Sequence, residues 1–140
     1  MNTDFQAAAR RHFDDGSYLH AGGRVATADH LYGISVECSL KAVLLGLGHP
    51  QSIRGDWPDG YKDHIDVLWT KFQTDTAGLW DAKYLAYLAP ANPFDTWLPR
   101  QRYWAAHYIQ GKNDIKLVEH QGAASDCLAL LRELILDTVI

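Results

Sequence analysis

Two arginines and a histidine stand close together in the segment Arg100-Gln-Arg102-Tyr-Trp-Ala-Ala-His107. A guanidinium is a fixed cation, and an imidazole titrates near neutral pH. Together they suit cleavage of a phosphodiester. Histidine takes a proton from an attacking hydroxyl or gives one to the leaving oxygen. Arginine grips the phosphate with two parallel N–H groups and stabilises charge as it develops. No metal ion is needed for that chemistry. On an ideal helix Arg102 and His107 would lie about 140° apart, whereas Arg100 and His107 would share a face. Which arginine works with His107 therefore depends on whether Pro99 starts a helix. The plainer alternative places His107 at a helix end and pairs Arg102 with a carboxylate.

A second polar group lies on an otherwise apolar segment. Glu37 stands four residues before Lys41, the favoured order for an ion pair along a helix. The pair is either structural or part of a site. The aromatics Trp97, Tyr103, Trp104 and Tyr108 cluster around the arginines. They could stack on bases or pack in a core or a dimer interface. His12, His20, His30 and His64 raise the question of a metal. No helix holds two histidines at i, i+4, and no Glu-x-x-His signature occurs, so neither a metal site nor a cofactor is expected. Cys38 and Cys127 both fall in apolar helical patterns and read as buried small hydrophobes. That favours a reduced, cytoplasmic setting.

The elements that must position these groups are helical. The chain has 140 residues, is 47% hydrophobic and carries a formal net charge of −4. That length suits one domain over residues 1–140 with one core. The negative balance argues against coating nucleic acid through bulk positive charge. A local basic patch remains between residues 100 and 117, where Arg100, Arg102, Lys112 and Lys116 outnumber Asp114. No apolar run approaches the roughly 18 to 20 residues of a membrane span, so no membrane partner is expected.

Helical spacing predicts a first helix over about 4–15, with Thr3 and Gln6 as a capping box and Gly16-Ser17 as an interruption. A short piece follows before Gly22-Gly23. The clearest element runs from Val25 to Leu47 and ends at Gly46 and Gly48. Asp29, His30, Gly33, Glu37 and Lys41 fall on about one third of its circumference, and the remainder is apolar. Such a helix needs neighbours on several sides. Its polar stripe should face another subunit or a site. Asp63 is the expected cap of a third helix and Asp75 or Thr76 of a fourth, ended by Pro90 and Pro93. A long last helix starts at Asn113 or Asp114, with Gly122 as a point of bending. With no alternating run, the expected class is all-α, an antiparallel up-and-down bundle of four to five helices.

Three places in this pattern resemble the HEPN family of helical nucleotide-binding domains. The stretch Ala28 to Leu44, with Glu37-x3-Lys41, is similar to the family's central helix. His64-x3-Leu68 looks like the start of the next helix, and Arg102-x4-His107 matches the Arg-x(4–6)-His motif ahead of the last one. Arg100-x6-His107 satisfies it too. The resemblance implies a HEPN-like bundle that forms a homodimer. In active members it implies metal-independent endoribonuclease activity at a cleft between subunits, in toxins, phage-defence effectors or RNA-processing factors. Arg102 or Arg100 would then bind phosphate, His107 would act as general acid or base, and Glu37 would orient one of them. Lys41 and Tyr103 join the expected binding set. The expected partners are RNA or a nucleotide, and an antitoxin or other protein. Tyr103 follows the motif arginine where a small polar residue often stands, and Ile109 occupies the place of a modified tyrosine in the toxin branch. The alternative reading is a noncatalytic HEPN-like module that binds a nucleotide, RNA or protein.

Overall fold

The computed structural model describes residues 4–48, 64–77, 80–104, 116–137 and 140. It is all-helical, with no strand among the described residues. Among the described residues four α-helices pack together: α1 (Phe5–Ala21), α2 (Val25–Gly46), α3 (Ile65–Thr76) and α4 (Lys116–Leu136). Two 3-10 turns, Trp80–Tyr87 and Pro99–Tyr103, lie between α3 and α4.

α1 is longer than the sequence predicts and starts differently. Its cap is Asp4, whose carboxylate accepts from the Ala7 N–H at 3.0 Å; Thr3 lies outside the described residues. It then runs unbroken through Gly16 and Ser17. Gly16 is explained by packing and not by a break: a Cβ there would sit 3.1 Å from the Tyr32 ring. The missing side chain lets α1 come close to α2. Further along the same seam, the Ser35 hydroxyl donates to the Ala9 carbonyl at 2.8 Å. Ala9 meets Ser35 while Gly16 meets Ala28 and Tyr32, so the two helices run antiparallel. Gly23 makes the turn between them at φ 79, a left-handed conformation that glycine adopts without strain.

α2 is central, as its pattern requires. Of its 22 residues, 13 are buried, including Tyr32, Val36, Leu40, Val43 and Leu44. Phe72, Trp69 and Leu68 of α3 and Leu130, Leu131 and Leu134 of α4 complete the core. Burying each such side chain contributes about 1.5–3 kcal/mol. Gly48, at φ 75, follows the end of α2.

Later elements depart further from expectation. Asp75 and Thr76 do not cap a fourth helix, because α3 itself continues to Thr76. The next element is a 3-10 turn from Trp80 to Tyr87. Its Tyr84 is buried and donates to Asp137 Oδ2 at 2.7 Å, tying the turn to the end of α4. The expected caps Asp63, Asn113 and Asp114 lie outside the described residues. α4 passes through Gly122 as one continuous helix. No helix among the described residues is long and apolar enough to cross a membrane.

Candidate functional site

The polar stripe of α2 is covered by the chain itself. Asp29, Glu37 and Lys41 are all buried. The stripe divides into two places about 12 Å apart, since Asp29 and Glu37 are eight residues apart at 1.5 Å each.

At the first place the segment 93–103 lies across the start of α2. Gly33 makes this possible, because a Cβ there would overlap the Trp97 indole. Trp97 fills that space, and its Nε1–H donates to the Asp29 carbonyl at 3.2 Å. The His30 ring stacks on the indole, with centroids 5.5 Å apart and planes 14° apart. Pro99 starts the 3-10 turn that carries the arginines. Gln101 is fully buried there, and its two ends are assigned by their partners. Its Oε1 accepts from the Leu98 N–H at 3.2 Å, and its Nε2 donates to Asp29 Oδ2 at 2.7 Å.

α4 reaches the same carboxylate. His120 Nδ1 meets Asp29 Oδ1 at 2.5 Å, and His120 Nε2 meets the Pro93 carbonyl at 2.9 Å. A carbonyl only accepts, so Nε2 carries a hydrogen. Phe94 stacks flat on the imidazole at 4.2 Å. Asp29, Gln101 and His120 therefore pin the 93–103 segment to α2 and α4.

Outside this anchor the arginines reach solvent. Arg100, Arg102 and Tyr103 are exposed. One guanidinium nitrogen of Arg102 donates to the Pro99 carbonyl at 2.7 Å, and the group lies over the Tyr103 ring at 4.5 Å. No carboxylate forms an ion pair with Arg102 among the described residues. Lys116 of the basic stretch is bonded to Asp95 at 2.6 Å. His107, Tyr108, Ile109, Lys112 and Asp114 lie outside the described residues.

His30 is half-buried in this region. Burial holds its imidazole below the ordinary value, and the positive charge of Arg102 adds to that. Asp29 opposes the shift, and His12 of α1 adds a smaller push in the same direction as Arg102. His12 is lowered as well, by burial and then Arg11, with Asp15 opposing.

At the second place Glu37 accepts from His64 at the start of α3, Nδ1 to Oε1 at 2.8 Å. Burial raises the Glu37 carboxyl, and its bond to His64 and the charge of Lys41 offset only part of that. Lys41 lies over the Phe5 ring at 5.7 Å. The sequence-predicted residues thus do not all converge. Arg100, Arg102 and Tyr103 share one turn, while Glu37 and Lys41 lie further along α2, between α1 and α3.

Sequence reasoning missed His120 and Gln101. His120 was legible, because Leu117, His120, Ala124, Cys127, Leu131 and Leu134 share one helical face. A histidine within an apolar stripe signals a buried partner. Gln101 carried no such signal. Among the described residues no three His, Cys, Asp or Glu side chains converge as a metal site would require. Neither a family model, nor a curated protein, nor a solved structure matches this chain.

Proposed function

We propose that this chain is a HEPN-like domain that binds RNA and cuts it without a metal ion. In that reading Arg102 holds the scissile phosphate, with Arg100 beside it, and His107 transfers a proton. The helices form the family's up-and-down bundle, and two copies pair as a cytoplasmic homodimer that encloses the cleft. A toxin or phage-defence role, held in check by a partner protein, is the setting in which such an activity is used.

The observation that supports this most is the state of Arg102. The plainer reading required a carboxylate partner for it, and among the described residues it has none. The guanidinium is instead held by a backbone carbonyl and a tyrosine face. An exposed arginine with a fixed position and no ion pair suits an anionic ligand. Its turn is anchored through Gln101 to Asp29, so the position does not depend on the ligand.

Tyr103 favours a second reading, a noncatalytic module that holds a nucleotide, RNA or protein. It is 77% exposed and offers a stacking face beside a cation.

Cleavage of labelled single-stranded RNA in excess chelator decides between them. The nuclease reading expects wild-type cleavage that Arg102→Ala and His107→Ala both abolish. Binding without cleavage by wild type would establish the second reading. Cleavage retained in His107→Ala would show the assigned histidine to be wrong.

A further inference from the structure

A second cluster of charge shares no residue with the Arg102 turn. α1 and α4 enclose a small cavity of about 270 Å³, lined by Arg10, Phe13, Asp14, Leu128 and Arg132. Helical spacing gathers these side chains in two sets. Arg10, Phe13 and Asp14 stand at i, i+3 and i+4 on α1, and Leu128 and Arg132 at i and i+4 on α4, so each set shares one face. Phe13 and Leu128 are half-buried against the core and form an apolar floor. The Phe13 ring packs on Tyr32, with centroids 5.8 Å apart and planes 49° apart. Arg10, Asp14 and Arg132 are exposed and supply the charge.

Among the described residues none of these three charged side chains is in an ion pair. Arg10 and Asp14 stand at the spacing where side chains of one helix meet. Lys71 and Asp75 do pair at that spacing in α3, at 3.5 Å. Two guanidiniums and one carboxylate give the cavity a net positive charge. A guanidinium fork matches a carboxylate or a phosphate. A phosphate dianion between the arginines would also face the Asp14 carboxylate, and that contact is repulsive. A carboxylate joined to an ammonium suits all three groups at once. The apolar floor then takes an apolar side chain. Size points the same way. Drug-sized ligands occupy roughly 300–1,000 Å³, so this cavity suits a single amino acid better than a nucleotide.

We propose that the cavity between α1 and α4 binds a free α-amino acid with an aliphatic side chain. Arg10 and Arg132 hold its carboxylate. Asp14 accepts from its ammonium group, and its side chain lies on Phe13 and Leu128. No bond is made or broken. The binding does not depend on whether the chain cuts RNA. The plainer alternative is that the arginines lay their stems over Phe13 and Leu128 and point their heads into water.

Isothermal titration calorimetry of the full chain with L-valine, L-leucine and L-isoleucine separates the two. At least one should bind at millimolar concentration or below. Its amide lacks the carboxylate, and its deamino acid lacks the ammonium. Each should bind about tenfold more weakly or worse, the loss expected when one charged hydrogen-bonded contact is removed. Arg132→Gln and Asp14→Asn should each weaken the amino acid to the same degree. Asp14→Asn should leave the deamino acid no weaker than in wild type, because it removes only the ammonium's partner. Both residues are exposed, so thermal melts without ligand should match wild type, and the analogue series on wild type needs no variant. A deamino acid that binds wild type as tightly as its parent overturns the proposal. So does binding of inorganic phosphate when none of the three amino acids binds, which would show an anion site only. No binding by any of the three at millimolar concentration establishes the plainer alternative.

Discussion

The side chains of His120 and Asp29 meet in the buried interior at 2.5 Å, although 91 positions separate them in the chain. Both are almost wholly inaccessible, at 0% and 1% of their surface. The contact joins α4 to α2 and, through Gln101 and the Pro93 carbonyl, fixes the turn that presents Arg102. A polar cluster so deep is tolerable because each of these side-chain atoms has a hydrogen-bond partner.

Removing one member should therefore be costly. Asp29→Ala or His120→Ala leaves a buried polar partner unmatched, and each should lose about 3–5 kcal/mol in urea unfolding. Because the two residues act as one unit, the double variant should lose clearly less than the sum. Additive losses would mean that the two side chains do not support each other.

Gly33 makes a second prediction through shape alone. A methyl group there overlaps the Trp97 indole, so Gly33→Ala must push the segment 93–103 away from α2. Overpacking of this kind costs about 1–3 kcal/mol, which outweighs the gain of about 1 kcal/mol expected for Gly→Ala within a helix. A net stabilised Gly33→Ala protein would contradict the packing described.

Stability should fall on mild acidification. His30 and His12 both hold their protons less readily in the folded state than the ordinary imidazole value of 6.5 implies. The unfolded chain then binds more protons, so folding stability is complete above about 6.5 and declines as pH falls toward the folded values. Glu37 acts in the opposite sense, because its carboxyl is raised and its protonation favours the folded state. Replacing both histidines with glutamine should flatten the decline in melting temperature just below neutral pH. An unchanged slope would remove these two residues as its cause.

Cys38 should be a poor nucleophile. Burial, with the Glu37 carboxylate adding to it, pushes its thiol up to about 11. Modification by a thiol reagent at neutral pH should be slow in the folded protein and rise to the rate of an ordinary cysteine in denaturant. Fast labelling of the native chain would show that α2 is less covered there than described.

Legibility in the sequence differs from residue to residue. The extent of α2 and its central position followed from apolar residues over most of its girth, since so wide an apolar surface must be covered on several sides. The sequence likewise placed Asp29, Gly33, Glu37 and Lys41 on one stripe, because angular position on a helix is a local property. It could not say what would cover that stripe. The expectation of a subunit or a site came from its polarity, yet the chain's own Trp97, Gln101, His120 and His64 lie against it. Gly16 looked like a break and proved to be a point of close approach, because glycine's local cost in a helix is outweighed when a neighbour fills the space. Residue type and helical period are local and can be read in order. Which side chains meet across 91 positions is decided by how the helices pack, and packing alone brought Asp29, Gln101 and His120 together.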